Sequence, residues 1–87
     1  MRLRLYVADG APNSVLAAAN LAAICKAHVQ FVFKLQIIDV LKFPQRALAD
    51  GVLVTPHLAK LSPAPAAWVV GNLSDTVGVL HALGIAT

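Results

Sequence analysis

Two stretches of strict alternation, separated by an alanine-rich segment, leave this chain very few folds to choose from. In residues 2–8, Leu3, Leu5 and Val7 lie on one side and Arg2, Arg4 and Tyr6 on the other. That pattern predicts a strand with a core face and a more polar face. Residues 31–40 repeat it: Phe31, Phe33, Leu35 and Ile37 point one way, Val32, Lys34, Gln36 and Ile38 the other. Between them, residues 13–27 are rich in alanine and leucine and read as helix, with Ala17, Leu21, Ile24 and Cys25 on the inner face. Asp9-Gly10-Ala11-Pro12 ends the first strand, and a proline suits the opening of a helix. Two strands joined by so long a helix pair in parallel through a right-handed crossover. The chain is therefore of the α/β class.

The second half is read less uniquely. Lys42-Phe43-Pro44 leads into a short helix at about 44–50, stopped by Gly51. Val52-Leu53-Val54 then runs into Thr55-Pro56. Residues 57–61 and 66–70 pair as antiparallel strands across Ser62-Pro63-Ala64-Pro65, and Ser74 and Asp75 suit the start of a final helix carrying Val77, Leu80 and Leu83. The resulting order is βαβαββα. Local propensity disagrees in two places: Gly78 is poor helix material, and His57-Leu58-Ala59-Lys60-Leu61 is also compatible with a helical turn. Such conflicts are where alternative structures arise.

Size and composition set further bounds. Eighty-seven residues make one domain over 1–87, with 59% hydrophobic and only 13% charged residues, so disorder is excluded. Asn20, Lys26, Lys34 and Gln36 cut the apolar runs well short of a membrane span, and Arg2-Leu3-Arg4-Leu5 does not build a signal peptide. A single cysteine allows no internal disulfide, which makes a reducing cytoplasm the expected location. The net charge of +3 comes from seven basic side chains, spread along the chain, and four aspartates, so no nucleic-acid footprint is expected. So much apolar surface on a small body predicts that some is covered by another subunit in a homo-oligomer.

Catalytic chemistry is hard to place. Ala11-Pro12-Asn13-Ser14 stands where a thioredoxin-like chain would carry Cys-x-x-Cys, and Val54-Thr55-Pro56-His57 where that fold keeps its cis-proline. Dithiol exchange needs a low-pKa thiolate at a helix N-terminus and a second thiol to resolve it. Cys25 instead falls near the far end of its helix, where it reads as a small buried hydrophobe. A metal site would have to combine Cys25 and His28 with His57 or His81 from distant segments, too few ligands for a structural zinc. His28 suits a helix end. Ser14 and Ser74 suit helix starts and lack a nucleophile elbow. The isolated glycines form no phosphate loop, and Asp39 reads as a loop cap or salt-bridge residue. No catalytic, cofactor-binding or metal-ligating residue is expected.

The segments together resemble the KaiB family of clock proteins. The carriers are Leu5-Tyr6-Val7-Ala8, Pro12-Asn13-Ser14, Ile38-Asp39-Val40-Leu41-Lys42, Pro44-Gln45, Thr55-Pro56, Leu58-Ala59-Lys60, Pro63-x-Pro65 and Gly71-x-Leu73-Ser74. The likeness runs from about Leu3 to Leu83 and is shared with the thioredoxin-like sensor domain of the clock kinase SasA. It implies a non-enzymatic regulator that binds the hexameric ATPase KaiC, needs no cofactor and has other clock proteins, such as a histidine kinase, as further partners. It also implies two folds: a thioredoxin-like βαβαββα monomer lacking Cys-x-x-Cys, and a ground-state βαββααβ form in dimers or tetramers. The first half is shared and the second refolds.

On that resemblance Lys34, Gln36, Lys42, Gln45, Arg46 and Asp50 are expected to bind partners. Pro56, Pro63, Pro65, Trp68, Gly71 and Asn72 are expected in fold switching or oligomer contacts. The chain departs from the family pattern where an arginine pair after the proline turn is replaced by Ala67 and Trp68, and where Gly-Asp becomes Gly71-Asn72. Two alternatives accompany this reading: a stable thioredoxin-like adaptor that does not switch, and a redox protein using Cys25.

Overall fold

The computed structural model describes residues 1–86, as β1 (Arg2–Val7), α1 (Pro12–Ala27), β2 (Lys34–Asp39), α2 (Pro44–Ala49), β3 (His57–Ser62), β4 (Ala67–Val70) and α3 (Thr76–Leu83). This is the βαβαββα order. The strands form one sheet in the order β2-β1-β3-β4. β1 and β2 pair in parallel from Arg2–Lys34 to Val7–Asp39, as a helical crossover requires. β3 runs antiparallel to β1, and β4 antiparallel to β3.

Each face of the sheet has its own core. On one, Leu3, Leu5 and Leu58 pack with Ala17, Leu21 and Ile24 of α1 and Val79, Leu80 and Leu83 of α3. On the other, a smaller cluster joins Tyr6 and Ile38 to Ala47 of α2 and Val52. Tyr6 is thus 2% exposed, not on a polar outer face as the alternation suggests, because α2 folds back over it. Conversely, Leu35 and Ile37 share the face of Leu3 and Leu5 yet are 40% and 54% exposed. They lie on an edge strand, and Ile37 borders an open cleft with Val15 and Ala18 of α1 instead of packing beneath a helix.

The helix ends follow local chemistry, with some corrections. Pro12 opens α1 after Ala11 at the N-cap, and no side chain caps it. Ser14 is buried, and its hydroxyl accepts the Ala8 N–H at 3.0 Å, tying the strand end to the helix rather than starting it. At the other end His28 is the C-cap, with Nδ1 2.8 Å from the Ile24 carbonyl oxygen. Gly51, at φ 76°, ends α2, and Val52 N–H bonds Ala47 C=O at 2.9 Å. α3 is capped by Asp75, not Ser74: its carboxylate accepts the Gly78 N–H at 3.0 Å. A Cβ at Gly78 would collide with that carboxylate, which accounts for a glycine inside a helix. Val77 faces water, and Val79 takes the core position instead. The segment 57–61 is strand, because Leu58 and Lys60 alternate into the core face opposite Leu5 and Leu3.

Candidate functional site

α2 sits on the sheet through a polar cluster built from three segments. β1 presents Arg4 and Tyr6 two residues apart, so they share a face, and the parallel register sets Gln36 of β2 beside Arg4. The Tyr6 hydroxyl donates to Asp50 Oδ2 at 2.5 Å, just beyond the end of α2. Arg4 approaches the same oxygen at 3.5 Å and Arg46 at 3.9 Å. Gln36 Oε1 accepts from Arg4 Nε at 3.1 Å and from Arg46 at 3.4 Å. Two guanidinium groups thus share one carboxylate and one amide oxygen. Burial pushes the Tyr6 phenol above its ordinary range, and donation to Asp50 raises it further, while the Arg4 guanidinium works against both. The phenol stays a donor.

Of the expected partner-binding residues, Gln36, Arg46 and Asp50 meet in this cluster. Lys34, Lys42 and Gln45 lie outside it with their side chains exposed. Arg4 and Tyr6 were not among the expected site residues. Their shared face on β1 was visible, but only the register and α2's position bring them to Asp50. Around the cluster a second property appears. Leu41, Phe43, Leu48, Leu53 and Val54 are all more than half exposed, while Ala47 is the one buried residue of α2. A short helix flanked by exposed apolar side chains, with a charged, hydrogen-bonded base, can receive another protein.

The other expected group lies elsewhere. Pro56 is buried and follows a cis peptide bond, as do Pro63 and Pro65 in the β3–β4 turn. Gly71, at φ 116°, gives its N–H to Pro56 C=O at 3.0 Å. Asn72 accepts the Asn20 side-chain N–H on its carbonyl at 2.8 Å, and its own Oδ1 takes the Ser74 N–H at 3.0 Å. Trp68 is 69% exposed on β4. Asp39 caps its loop, taking the Leu41 N–H at 2.9 Å and the Asp9 N–H at 3.4 Å. Among the described residues no three His, Cys, Asp or Glu side chains form a metal-binding group, and no helix is long and apolar enough to cross a membrane.

Cys25 is partly buried, and burial pushes its thiol up, away from the thiolate that exchange would need. Native protein should therefore alkylate several-fold more slowly at neutral pH than free cysteine, and unfolding should restore the ordinary rate. A native rate equal to that of the free thiol would revive the redox reading.

Comparison with known proteins decides the family. The family model for the KaiB domain matches residues 4–85. The chain belongs to the KaiB family. It is 47% identical over 83 residues to the circadian clock oscillator protein KaiB of Gloeothece citriformis, covering 95% of this chain and 78% of that one. The KaiB of Synechococcus elongatus is equally similar, with 81% of its length covered. Among solved structures, the N-terminal domain of Synechococcus elongatus SasA superposes with a TM-score of 0.76 at 28% identity, over 95% of this chain and 82% of that one. Mitochondrial thioredoxin 3 of Saccharomyces cerevisiae reaches a TM-score of 0.75 over 97% and 77%, at 13% identity. This KaiB-family chain thus has the thioredoxin-like fold, without the pair of cysteines.

Proposed function

We propose that this KaiB-family chain is a non-enzymatic clock or signalling regulator in the cytoplasm that binds a KaiC-type ATPase. The docking surface is α2 with its flanking segments. The observation that carries the reading is the exposure of Leu41, Phe43, Leu48 and Leu53 around a helix that buries only Ala47. Burying such apolar surface drives association. The Arg4–Tyr6–Asp50 contacts hold the helix in place beforehand, so little ordering is needed on binding. Gln45, Arg46 and Lys42 supply the polar rim, and Lys34 and Gln36 on the β2 edge remain for a further clock partner such as a histidine kinase.

Calorimetric titration against a hexameric KaiC-type ATPase tests this. Leu48→Asp should weaken binding about 30-fold or more, as expected for a charge placed in an interface core. Val29→Asp, at an exposed position beyond α1, should not. Absence of binding by the unmodified protein sinks the proposal.

Family membership also supports a role for the second half in switching folds, with Pro56, Pro63, Pro65, Gly71 and Asn72 in the segment that rearranges. The alternative is a thioredoxin-like adaptor that binds without rearranging. Slow exchange between two sets of amide resonances for residues 57–83, absent for β1 and β2, separates switching from the fixed adaptor.

A further inference from the structure

The basic side chains are dispersed along the sequence, but the sheet gathers most of them on one face. Arg2 and Arg4 share a side of β1 with Tyr6, and the parallel register sets Lys34 beside Arg2 and Gln36 beside Arg4. Arg46 reaches the same face from α2, through Gln36. Four cations there meet one carboxylate, Asp50, which leaves three positive charges, the whole net charge of the chain. The other three lysines are balanced by Asp9, Asp39 and Asp75. Asp50 already serves Arg4 and Arg46. Arg2 and Lys34 are exposed, and neither has an ion pair or a side-chain hydrogen bond among the described residues. Asp39, at the far end of β2, is about 17 Å along the strand from Lys34, beyond the screening length of physiological salt. Like charges directly opposite one another on neighbouring strands are destabilising, so this pair gains from an anion brought from outside.

α2 covers only part of this face. It packs over Tyr6 and Ile38 and leaves the end bearing Arg2 and Lys34 open. One cross-strand row there reads Gln36, Arg4, Ala59, Trp68, and its last member is 69% exposed. Two clefts adjoin along it. One, of about 230 Å3, is lined by Arg2, Lys34, Gln36 and Leu61. The other, of about 430 Å3, is lined by Leu61, Ala59, His57 and Trp68, with Asp50 also on its wall. Leu61 belongs to both. Burial lowers the His57 pKa, so that ring adds no charge at neutral pH. The two clefts make a trough that is cationic at one end and apolar at the other.

We propose that this trough docks an extended acidic segment of a partner protein, with carboxylates on Arg2 and Lys34 and an apolar side chain against Leu61 and Trp68. Charge selects the occupant. A carboxylate supplies the counterion that Arg2 and Lys34 lack, and a guanidinium takes it bidentately. Trp68 stands two strands across from Arg2 and one side-chain repeat along, about 12 Å away. An extended chain crosses that in about three to four residues. A nucleic-acid strand fits less well. It carries a charge on every unit and stacks successive bases, whereas this face has one tryptophan and its free cations at one end. Exposed ion pairs contribute little each, so binding is weak and sensitive to salt. Lys34 and Gln36, left above for a further partner, thereby receive one of defined chemistry. The apolar side chains around α2 take no part, so this docking and the ATPase reading fail separately.

The probe is a synthetic peptide without aromatic rings, acetyl-Asp-Glu-Asp-Gly-Ser-Leu-Leu-amide, so emission from Trp68, the chain's one tryptophan, reports its arrival. The expected result is a saturable change of that emission, matched by calorimetry, with a Kd of roughly 10–500 μM. The Kd should rise at least about 3-fold between roughly 20 and 200 mM salt. The same peptide with lysines in place of its acids should not bind. Arg2→Glu should weaken binding about 10-fold, and Trp68→Ala, followed by calorimetry, about 5-fold, both with native circular dichroism. Lys26→Glu makes the same change of net charge at an exposed position of α1 and should shift the affinity less than about 2-fold. Absence of binding by the unmodified protein overturns the proposal. So do equal losses in Arg2→Glu and Lys26→Glu, because net charge alone then draws the peptide, and an unchanged affinity in Trp68→Ala. Tighter binding of an oligothymidylate of about ten nucleotides overturns it too, in favour of a nucleic-acid surface.

Discussion

Leu5→Ala is expected to lower stability by about 3–4 kcal/mol, because the side chain is fully buried at the centre of the sheet and its removal leaves a cavity. Leu5 lies on β1, the one strand flanked by both β2 and β3, and packs in the cluster that α1 and α3 cover. No helix can move in to fill the gap without losing its own contacts. A domain of this length has a total stability of roughly 4–13 kcal/mol. The substitution therefore removes a large fraction, and the thermal midpoint should fall by about 12–30 °C. Val29→Ala, at a position 83% exposed, should change stability by less than about 0.5 kcal/mol. Thermal and urea unfolding of the two variants checks the pair. Equal losses would mean that the main core is not between the sheet and α1 and α3.

The second large effect is expected at Asp50. In Asp50→Ala the Tyr6 hydroxyl, nearly buried, loses the carboxylate that accepts it at 2.5 Å. An unpaired buried donor costs about 1–3 kcal/mol. Arg4 also loses its anion, whereas the Arg46 contact, at 3.9 Å and 44% side-chain exposure, adds little. A double-mutant cycle with Tyr6→Phe should therefore recover about 1–2 kcal/mol of coupling. Removing Asp50 also takes away two influences that raise the phenol, its hydrogen bond and its negative charge, and leaves the Arg4 guanidinium, which lowers it. The phenol should ionise at lower pH in the variant. As the chain's one tyrosine, Tyr6 can be followed by ultraviolet titration without ambiguity. An unchanged titration would show that Tyr6 and Asp50 do not meet in solution. Loss of the pair should also loosen α2, so the cluster links stability to the proposed docking surface.

Much of this architecture was legible in the order of residues. Alternation in 2–8 and 31–40, a helix between them and the right-handed crossover rule sufficed for the parallel pair. Pro12, Pro44, Gly51 and the Ser74-Asp75 pair marked element ends within a residue or two. The absent second cysteine decided against dithiol chemistry, and the short family motifs pointed to the KaiB family that the comparisons show. Each of these is a local property: period, backbone restriction or the presence of a functional group.

What the tertiary structure decided was which face of each element meets another. Alternation separates the two sides of β1 but does not say that α2 will cover Tyr6. The same alternation in β2 does not say that Leu35 and Ile37 stand on an edge strand and stay largely exposed. Gly78 argued against a helix until the Asp75 carboxylate was seen to occupy the space of its missing Cβ. Strand register gathered Arg4, Tyr6, Gln36, Arg46 and Asp50 from three segments. Periodicity is written along the chain within a few residues, whereas burial and convergence depend on distant partners, such as Asp50, which lies 46 positions from Arg4. Those partners are chosen by packing.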